Sequence, residues 1–316
     1  MPRSTWDELP ATVRAAIERK AGLVARAEVP SAGRNSDFSA TLHLRSGGVV
    51  FCKGIADAEG KRGAMHRHEA DINPWLPSAI APRLRWRIEA DGWLLLGFDR
   101  VTGAHADLTP GSPDLPVVAD AMAALGQDLA GCPGTAPRLA DQWARLAPWR
   151  RLAKDPPPGL DPVRASQLVQ WEARAIEAAD GHDLVHTDLH SLNILVSGRR
   201  ATLIDWAWSR TGSAAVDVAF LTARLIAAGH TPPAAEEWAE ALPAWQRTPR
   251  AVRTALAVEI WGIWEYQAAQ QHRDLWRTLV PAARTWATHH LDDNTAFEHK
   301  FDDVLASGHE RGGPDR

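Results

Sequence analysis

At 316 residues, of which 45% are hydrophobic, the chain is long enough to bury one large core or two modest ones, and we expect a globular, two-lobed protein. Its formal net charge of -4, from 35 Lys and Arg against 39 Asp and Glu, provides no basic surface for a phosphate backbone, which excludes nucleic acid as an expected partner. The two cysteines, Cys52 and Cys132, form neither a disulfide framework nor a zinc pattern, so a reducing, cytoplasmic location is favoured.

No segment of the sequence has the composition of a membrane anchor. Charged residues interrupt the apolar positions near the N-terminus, whereas a signal peptide needs an uninterrupted apolar segment. No run elsewhere approaches the roughly 18 apolar residues that a bilayer-spanning helix needs. We therefore expect no membrane association.

The first hundred residues predict a small, mostly antiparallel sheet that carries one further helix. Apolar, β-prone runs on both sides of Ser46-Gly47-Gly48 are typical of a hairpin. A helix that begins near Lys61 must end before Pro74, because the residue preceding a proline is biased away from helical backbone. The predicted elements are a helix at 6–21, a hairpin at 38–54, a helix at 61–73 and strands at 84–88 and 93–98.

The composition changes after residue 100, where a segment rich in Gly and Pro, 101–116, indicates a linker. The helices predicted beyond it lie near 116–130, 139–153, 162–179, 251–271 and 274–290, with strands inserted at 184–185, 194–196 and 201–205. The predicted fold class is α+β and bilobed. Residues 1–99 form a small antiparallel-sheet lobe, residues 100–306 a larger and mostly helical lobe, and residues 307–316 a polar, disordered tail.

The stretch LVHTDLHSLNILV, residues 184 to 196, places polar side chains between two apolar runs. Asp188 precedes Asn193 by five positions, and Asp205 follows Asn193 by twelve, at the end of an apolar strand. Phosphoryl transfer needs such a set, because one carboxylate orients the acceptor hydroxyl while an amide oxygen and a second carboxylate hold magnesium against the phosphates. The Asp-to-Asn spacing is that of the catalytic loop of protein kinases.

Two other interpretations fit parts of the same stretch. His186, Asp188 and His190 alternate, so on a strand they would face one side, and imidazole and carboxylate groups bind zinc. A polar turn capped by its histidines is the plainer alternative. Phosphoryl transfer explains more of the residues, including Asn193 and Asp205, and is the preferred hypothesis.

Two upstream residues provide what a kinase needs to hold ATP. Lys53 ends the apolar strand VVFCKG, where a lysine can reach the α- and β-phosphates, and Glu69 on the next helix is placed to orient that lysine. The alternative is that Lys53 is a solvated charge at a strand end and Glu69 an exposed helix charge. The order of all these residues along the chain favours the kinase.

On these motifs, the chain resembles the aminoglycoside phosphotransferase and choline-kinase-like family of small-molecule kinases, from about residue 30 to about residue 225. Many members of that family carry His-Gly-Asp-Leu-His-Pro-x-Asn, and residues 186–193 here read His-Thr-Asp-Leu-His-Ser-Leu-Asn. Thr187 and Ser191 depart from that pattern, and Trp206 replaces the commoner Phe or Pro after Asp205. None of these departures removes a chemical group that catalysis needs.

The resemblance implies a protein-kinase-like fold with ATP and Mg²⁺ as cofactors, and it assigns the residues. It makes Asp188 the catalytic carboxylate, Asn193 and Asp205 the magnesium ligands, Lys53 the phosphate-binding lysine and Glu69 its partner. It also implies structural support from three residues, His186, His190 and Asp217, with His186 bracing the loop and Asp217 positioning it from the start of a helix.

The resemblance also places the nucleotide. The turn at 31–37 lies where the family has its phosphate-covering loop, and backbone N–H groups around Gly33 and Ser36 are candidates to contact phosphate oxygens. The adenine is expected between the lobes, against backbone groups from Phe98 to Val101.

The acceptor site is the least defined part of the sequence. Family members hold cationic substrates with carboxylates on the last helices, and the candidates here are Glu259 and Glu265, interleaved with Trp261. The alternative is that the tryptophans form a stripe facing the core while the two glutamates are solvated. Asp107, in the segment after the first lobe, is a further candidate for substrate contact.

We therefore expect a kinase that moves the γ-phosphate of ATP to a hydroxyl of a small molecule, such as a cationic, aminoglycoside-like antibiotic. One alternative is a kinase of a primary metabolite such as choline, homoserine or a sugar. Another is a catalytically silent nucleotide-binding module on the same fold, although it would have no chemical need for the complete set of residues.

Overall fold

The computed structural model describes residues 3–30, 36–131, 136–271 and 273–309, and side chains up to residue 292. Contacts within the chain define two units. The first comprises Met1–Leu139, Asp180–Val218 and Leu242–Ala244, and the second comprises Ala140–Ala179, Ala219–Ala241 and Trp245–Arg316. The lobe boundaries at residues 99 and 306 stay predictions.

The N-terminal part of the first unit is an antiparallel sheet of five strands with two helices. Its elements are α1 (Ala11–Ala21), β1 (Val24–Glu28), β2 (Phe38–Leu44), β3 (Val49–Ile55), α2 (Lys61–Ile72), β4 (Leu84–Ala90) and β5 (Trp93–Asp99). The strand order is β1-β2-β3-β5-β4. The register pairs Lys53 of β3 with Ser39 of β2 and with Leu96 of β5, so Lys53 lies on the central strand.

The sheet forms because its apolar positions alternate with the strand period. Phe38 and Leu42 of β2 point to one face, where they pack in a core with Val13 and Ile17 of α1. The predicted hairpin and the strands β4 and β5 are confirmed. The helix predicted at 6–21 begins only at Ala11, because Pro10 occupies an extended backbone position at its start. Strand β1 was not predicted, since charged residues interrupt its short apolar pattern.

The rest of the first unit contains short strands, and two turns connect neighbouring pairs of them. Its elements are β6 (Ala104–His105), α3 (Asp114–Asp128), β7 (Asp183–Val185), β8 (Ile194–Ser197), β9 (Arg200–Leu203) and β10 (Arg210–Gly212). Strands β6, β8 and β9 form one small sheet, and β7 pairs with β10. One turn, 186–193, joins β7 to β8, and the other, 204–209, joins β9 to β10. Strand pairing therefore brings together the two turns that carry the predicted catalytic and metal-binding residues.

The second unit is built from helices. The remaining helices are α4 (Leu139–Leu146), α5 (Pro148–Lys154), α6 (Pro162–Ala179), α7 (Ala215–Ala227), α8 (Pro232–Glu240), α9 (Pro243–Gln246), α10 (Arg250–Gln270) and α11 (Trp276–His309). Within this unit α10 packs against α5, α6 and α11. None of the helices in the described residues is both long and apolar enough to cross a bilayer.

The α+β architecture predicted from the sequence is confirmed, with an antiparallel sheet near the N-terminus and helices towards the C-terminus. The single helix predicted at 139–153 is two helices. Ala147, which precedes Pro148, adopts a left-handed φ of 40° and separates α4 from α5. Helix α11 continues to His309, past the predicted start of a disordered tail, and residues 310–316 of that tail lie outside the described residues.

One half-buried carboxylate links three helices of the second unit. Glu236 of α8 accepts hydrogen bonds from the indole Nε1 of Trp286 at 2.6 Å, the Nε2 of His290 at 2.8 Å and the indole Nε1 of Trp245 at 3.0 Å. Burial alone would raise the pKa of Glu236, but the donors, His290 foremost, hold it below its ordinary value of 4.5. The carboxylate therefore joins α8, α9 and α11.

We expect Glu236→Gln to lower the free energy of unfolding at pH 7 by about 2–3 kcal/mol, because an amide NH₂ would face buried donors. A pKa held below its ordinary value in the folded state stabilises above pH 4.5, and that contribution disappears as the pH falls further. The difference between wild type and variant should therefore shrink as the pH falls below 4.5. Denaturant unfolding measures it, with the exposed neighbour Glu237→Gln as the control. Equal losses in both variants would contradict this account.

Candidate active site

Lys53 lies between two carboxylates inside the first unit. Its side chain is 8% exposed, and its Nζ lies 2.6 Å from Glu69 Oε2 and 2.8 Å from Asp205 Oδ1. Burial alone would lower the pKa of this amine, but the two carboxylates raise it above its ordinary value, so Lys53 is a fixed positive charge. Strand β3 continues to Ile55, so Lys53 does not end it as predicted, but the strand carries a buried ammonium that two carboxylates orient.

Helix α2 holds this lysine and also holds the turn that follows Asp205. Glu69, buried on α2, contacts Lys53 through one carboxylate oxygen and accepts the backbone N–H of Trp206 with the other, at 3.2 Å. Asp205 is 28% exposed, has a left-handed φ of 65°, and its pKa lies below its ordinary value because of Lys53, although burial opposes this. Glu69 is therefore not an exposed helix charge. It aligns Lys53 and the Asp205 turn together.

Asp188 and Asn193 occupy one turn between β7 and β8. The Nδ2 of Asn193 donates to the backbone oxygen of Asp188 at 2.8 Å, so its amide oxygen is the atom that can serve as a cation ligand. The backbone N–H of Ile204 donates to the backbone oxygen of Asn193 at 2.9 Å, which places Asp205 next to this turn. The structure therefore brings together three residues that are separated by five and twelve positions in the sequence.

His186 braces the turn through both of its ring nitrogens. Its Nδ1 accepts the backbone N–H of Asp188 at 3.3 Å, so Nε2 carries the proton and donates to the backbone oxygen of Ile204 at 3.0 Å. Burial lowers the pKa of His186 to about 4, which keeps the ring neutral. Because both nitrogens are used on the backbone, His186 is not placed to bind zinc. His190 accepts the N–H of Leu192 through Nδ1, and its Nε2 lies 3.9 Å from Asp188 Oδ2.

Asp217, at the start of α7, anchors the same turn from the other side. Its buried carboxylate accepts the backbone N–H of His186 at 2.7 Å and that of Thr187 at 2.8 Å. Burial raises its pKa to about 6, against the lowering effect of the two N–H donors. The family resemblance implies a supporting role for Asp217, and its carboxylate lies on the backbone of the turn that carries Asp188.

We expect Asp217→Ala to lower the free energy of unfolding by about 2–4 kcal/mol, because two buried amides lose their acceptor. The folded protein holds this proton more tightly than the unfolded chain, so the stability of wild type relative to the variant should fall as the pH rises from about 4 to about 6 and then level off. Denaturant unfolding across this range checks both expectations. The exposed Asp128→Ala is the control, and a flat difference would refute the assigned pKa.

Sequence reasoning missed His66, which lies one helical turn before Glu69. Its Nδ1 must donate to the backbone oxygen of Arg62 at 3.0 Å, so its Nε2 accepts the hydroxyl of Ser36 at 3.3 Å. Burial, together with the charge of Lys53, lowers the pKa of His66 to about 4 and keeps it neutral. The i,i+3 spacing from Glu69 was the signal that the sequence offered.

Of the other residues predicted to bind the nucleotide, Phe98 lies beside Lys53. Phe98 on β5 is buried with its ring centroid 5.7 Å from Lys53 Nζ, and Val101 follows that strand and is half-buried. Gly33 lies outside the described residues. Phe98 therefore lines the same side of the sheet as Lys53.

The predicted substrate residues of the second unit are buried inside it. Glu259 is 0% exposed, neither of its carboxylate oxygens has a hydrogen-bond partner, and its pKa is raised well above its ordinary value by burial and by nearby Glu172. Its position inside the helices offers no surface to a ligand. The predicted substrate role of Glu259 is not supported by this position.

Trp261 and Glu265 both contact an arginine of the same unit. The indole Nε1 of Trp261 donates to Glu265 Oε2 at 2.9 Å, and Arg284 contacts that oxygen at 3.2 Å while its guanidinium lies 5.5 Å from the centroid of the Trp261 ring. Asp107, in the first unit, is exposed and accepts both the backbone N–H and the hydroxyl of Thr109. Among the predicted substrate residues, Asp107 is therefore the accessible carboxylate.

The side chains of the first unit include groups that suit a nucleotide with its magnesium ion. Asp205 offers a carboxylate and Asn193 an amide oxygen, which are the ligand types that magnesium prefers, and Lys53 is a buried ammonium suited to a phosphate. Asp188, 30% exposed, presents a carboxylate on the adjoining turn. This arrangement can bind phosphates and accept a proton from a hydroxyl.

Comparisons with known proteins point to the same chemistry. The chain matches the model of the phosphotransferase enzyme family over residues 65–253. Among curated proteins no sequence matches the chain. The family match covers more than half of the chain and includes Glu69, Asp188, Asn193 and Asp205.

Similar solved structures share the fold. An aminoglycoside phosphotransferase from Alicyclobacillus acidocaldarius is 14% identical, with 95% of this chain and 98% of that chain covered and a TM-score of 0.59. A thermostable variant of aminoglycoside phosphotransferase APH(4)-Ia, in ternary complex with AMP-PNP and hygromycin B, is 16% identical, with 87% and 99% covered and a TM-score of 0.59. A proposed fructosamine-3-kinase from Thermobifida fusca YX-ER1 is 19% identical, with 87% and 98% covered and a TM-score of 0.59. At these identities the likeness establishes the protein-kinase-like fold.

Proposed function

The chain belongs to the phosphotransferase enzyme family and is a small-molecule phosphotransferase, and from that premise we propose that it transfers the γ-phosphoryl group of ATP to a hydroxyl of its acceptor. The observation that carries the proposal is the contact of Lys53 with both Glu69 and Asp205, beside the turn that presents Asp188 and Asn193. A catalytically silent module would have no chemical need for this complete set.

Lys53 and Glu69 form the phosphate-binding part of the proposed site. Glu69 holds the ammonium of Lys53 in place, and the lysine binds the phosphate oxygens of ATP. Asp205 and Asn193 would hold Mg²⁺, which when bound neutralises the charge of the phosphates. Because Lys53 contacts Asp205 directly, it exchanges part of that ion pair for phosphate oxygens when the nucleotide binds.

Asp188 supplies the remaining chemistry. One of its carboxylate oxygens orients the acceptor hydroxyl and accepts its proton. The hydroxyl oxygen forms a bond to the γ-phosphorus as the bond between that phosphorus and the ADP oxygen breaks. Positioning carries most of the rate, and His186 and Asn193 both hold the backbone of Asp188.

The acceptor that we propose is a hydroxylated, cationic small molecule of the aminoglycoside-like class. The similarity to two aminoglycoside phosphotransferases, one of them in complex with hygromycin B, supports this class. The accessible carboxylate of Asp107 suits a cation. We place the reaction in the cytoplasm, because it consumes ATP. A kinase that phosphorylates an antibiotic there would confer resistance to it.

A kinase of a primary metabolite is the second candidate, and the likeness to the proposed fructosamine-3-kinase favours it. In addition, Arg284 binds Glu265 and lies over the ring of Trp261, so these two residues are not available to a cationic acceptor while the arginine is in place. The two candidates share the site and the chemistry and differ in the acceptor.

Mass spectrometry of a panel of acceptors, incubated with protein and Mg-ATP, tests the proposal. The panel combines aminoglycosides and other cationic antibiotics with choline, homoserine, sugars and sugar amines, and Asp188→Asn serves as the inactive control. We expect one class to gain a phosphoryl group with wild type alone. Gain on sugar amines but not on antibiotics would favour the second candidate, and no gain despite measurable Mg-ATP binding would contradict both.

A further inference from the structure

Two turns of the first unit carry the proposed chemistry, and hydrogen bonds join them at several points. On one side, the ring of His186 donates to the backbone oxygen of Ile204, and the N–H of Ile204 donates to the backbone oxygen of Asn193. These bonds fix the start of the second turn. The end of that turn, at residues 206–208, is held differently.

The hydroxyl of Thr187 contacts the 206–208 segment. It donates to the backbone oxygen of Trp208 at 2.7 Å, across 21 residues of sequence. Immediately beyond, strands β7 and β10 pair Val185 with Arg210. The Thr187 bond therefore extends the connection between the strands into the turns, next to Asp188.

The backbone of Thr187 is unusual for its residue type. Its φ is 63°, in the left-handed region, where a β-branched side chain is strained and glycine is not. The resembling family often has glycine at this position of the motif. A glycine would fit the backbone without strain, but it would lack the hydroxyl that reaches Trp208.

Two contacts hold Thr187 in this conformation. Its N–H donates to Asp217 Oδ1 at 2.8 Å, and its hydroxyl donates to Trp208. The first contact is made by the backbone and would persist with any residue except proline. The second depends on the side chain, so what the side chain adds is the connection between the two turns.

We propose that Thr187 is a positioning residue, whose hydroxyl fixes the end of the 204–209 turn, which begins with Ile204 and Asp205, against the turn that carries Asp188. The inference rests on the proposed function, because it assigns Thr187 to that same site. Loss of the hydroxyl would let the 206–208 segment move against the catalytic turn. Such a displacement lowers the rate of transfer more than the affinity for nucleotide.

Three substitutions separate the hydroxyl from the backbone strain. Thr187→Ser keeps the hydroxyl, Thr187→Val keeps the shape without it, and Thr187→Gly removes both hydroxyl and strain. The first readout, hydrogen–deuterium exchange of residues 206–210 without ligand, needs no activity. We expect exchange about tenfold faster in the Val and Gly variants and near wild type in the Ser variant.

The second readout is kinetic, with an acceptor that wild type phosphorylates. We expect kcat to fall about tenfold in Thr187→Val and Thr187→Gly with the KM for ATP within about twofold, and Thr187→Ser to restore kcat. We measure the unfolding temperature of wild type and of each variant and take kcat well below the lowest of them, so that a lower kcat does not reflect loss of folded protein. Wild-type exchange and wild-type kcat in Thr187→Gly would overturn the proposal.

The exchange experiment also separates this inference from the proposed function. If wild type phosphorylates no acceptor, the proposed function fails whatever Thr187 does. If the exchange of residues 206–210 does not change in Thr187→Val, the coupling of the turns is refuted even when wild type is an active kinase.

Discussion

Asp188→Asn is expected to lower kcat by about 10³-fold while the Kd for Mg-AMP-PNP stays within about twofold of wild type. An asparagine keeps the shape of the side chain, and the backbone of residue 188 keeps its contacts with His186 and Asn193. What disappears is the carboxylate that accepts the proton of the acceptor hydroxyl. Steady-state kinetics with an acceptor from the panel, combined with nucleotide titration calorimetry, separates the two quantities.

A surface carboxylate of the same unit provides the control for this variant. Asp180 pairs with Arg138 and has a half-exposed side chain, so Asp180→Asn should leave both kcat and nucleotide affinity unchanged. A kcat in Asp188→Asn within about tenfold of wild type would remove Asp188 from the chemical step. Loss of nucleotide binding in that variant would show instead that Asp188 has a structural role.

Asp205→Ala is expected to weaken binding of Mg-AMP-PNP by about 100-fold, or about 2.7 kcal/mol, because the carboxylate that would hold the metal is lost. The same change removes one of the two carboxylates that contact Lys53, and so leaves the lysine free to bind phosphate. Affinity for AMP-PNP without metal should therefore stay equal or increase. Calorimetric titrations with Mg²⁺ and with EDTA measure both.

The contrast between the two titrations makes the Asp205 assignment specific. A misfolded variant would lose affinity under both conditions, whereas a lost metal ligand weakens binding only when Mg²⁺ is present. If Asp205→Ala bound Mg-AMP-PNP like wild type, the assignment of Asp205 as metal ligand would be wrong. Equal losses of affinity with and without Mg²⁺ would show instead that Asp205 has a structural role in the site.

Much of the catalytic centre could be predicted from the sequence, because its spacing reflects local structure. Lys53 lies on a strand, Glu69 lies on the next helix, and Asp188 and Asn193 occupy one turn. These positions follow from short-range patterns of apolar residues and turn residues. The structure brings Lys53 Nζ to 2.6 Å from Glu69 Oε2, which is the pairing expected for a lysine on a strand and an acid on the next helix.

The remaining contacts depend on distances that the sequence does not encode. Nothing in the local pattern shows that Arg284 covers Trp261 or that Glu259 lies inside the helices, because both depend on how helices pack against one another. Likewise, Thr187 and Trp208 are neighbours only because β7 pairs with β10. The left-handed backbone at Thr187 was equally hidden, since threonine does not predict it.

Local signals were also present and misjudged. The proline at 148 marks the residue before it as a poor helical position, and the single helix predicted at 139–153 is therefore wrong at Ala147. Pro10 in the same way marks the start of α1 at Ala11. In both places the backbone restriction of proline outweighs the apolar periodicity.

The central claim is that this chain moves the γ-phosphoryl group of ATP to a hydroxyl. ATP labelled with ¹⁸O in the γ-phosphoryl group tests it most directly, with ADP, inorganic phosphate and acceptor ester quantified from one reaction. We predict that the label appears in the ester, with ester and ADP formed in equal amounts, and that both vanish in Asp188→Asn. Label found only in inorganic phosphate, or no ADP formed with any acceptor, would contradict the account.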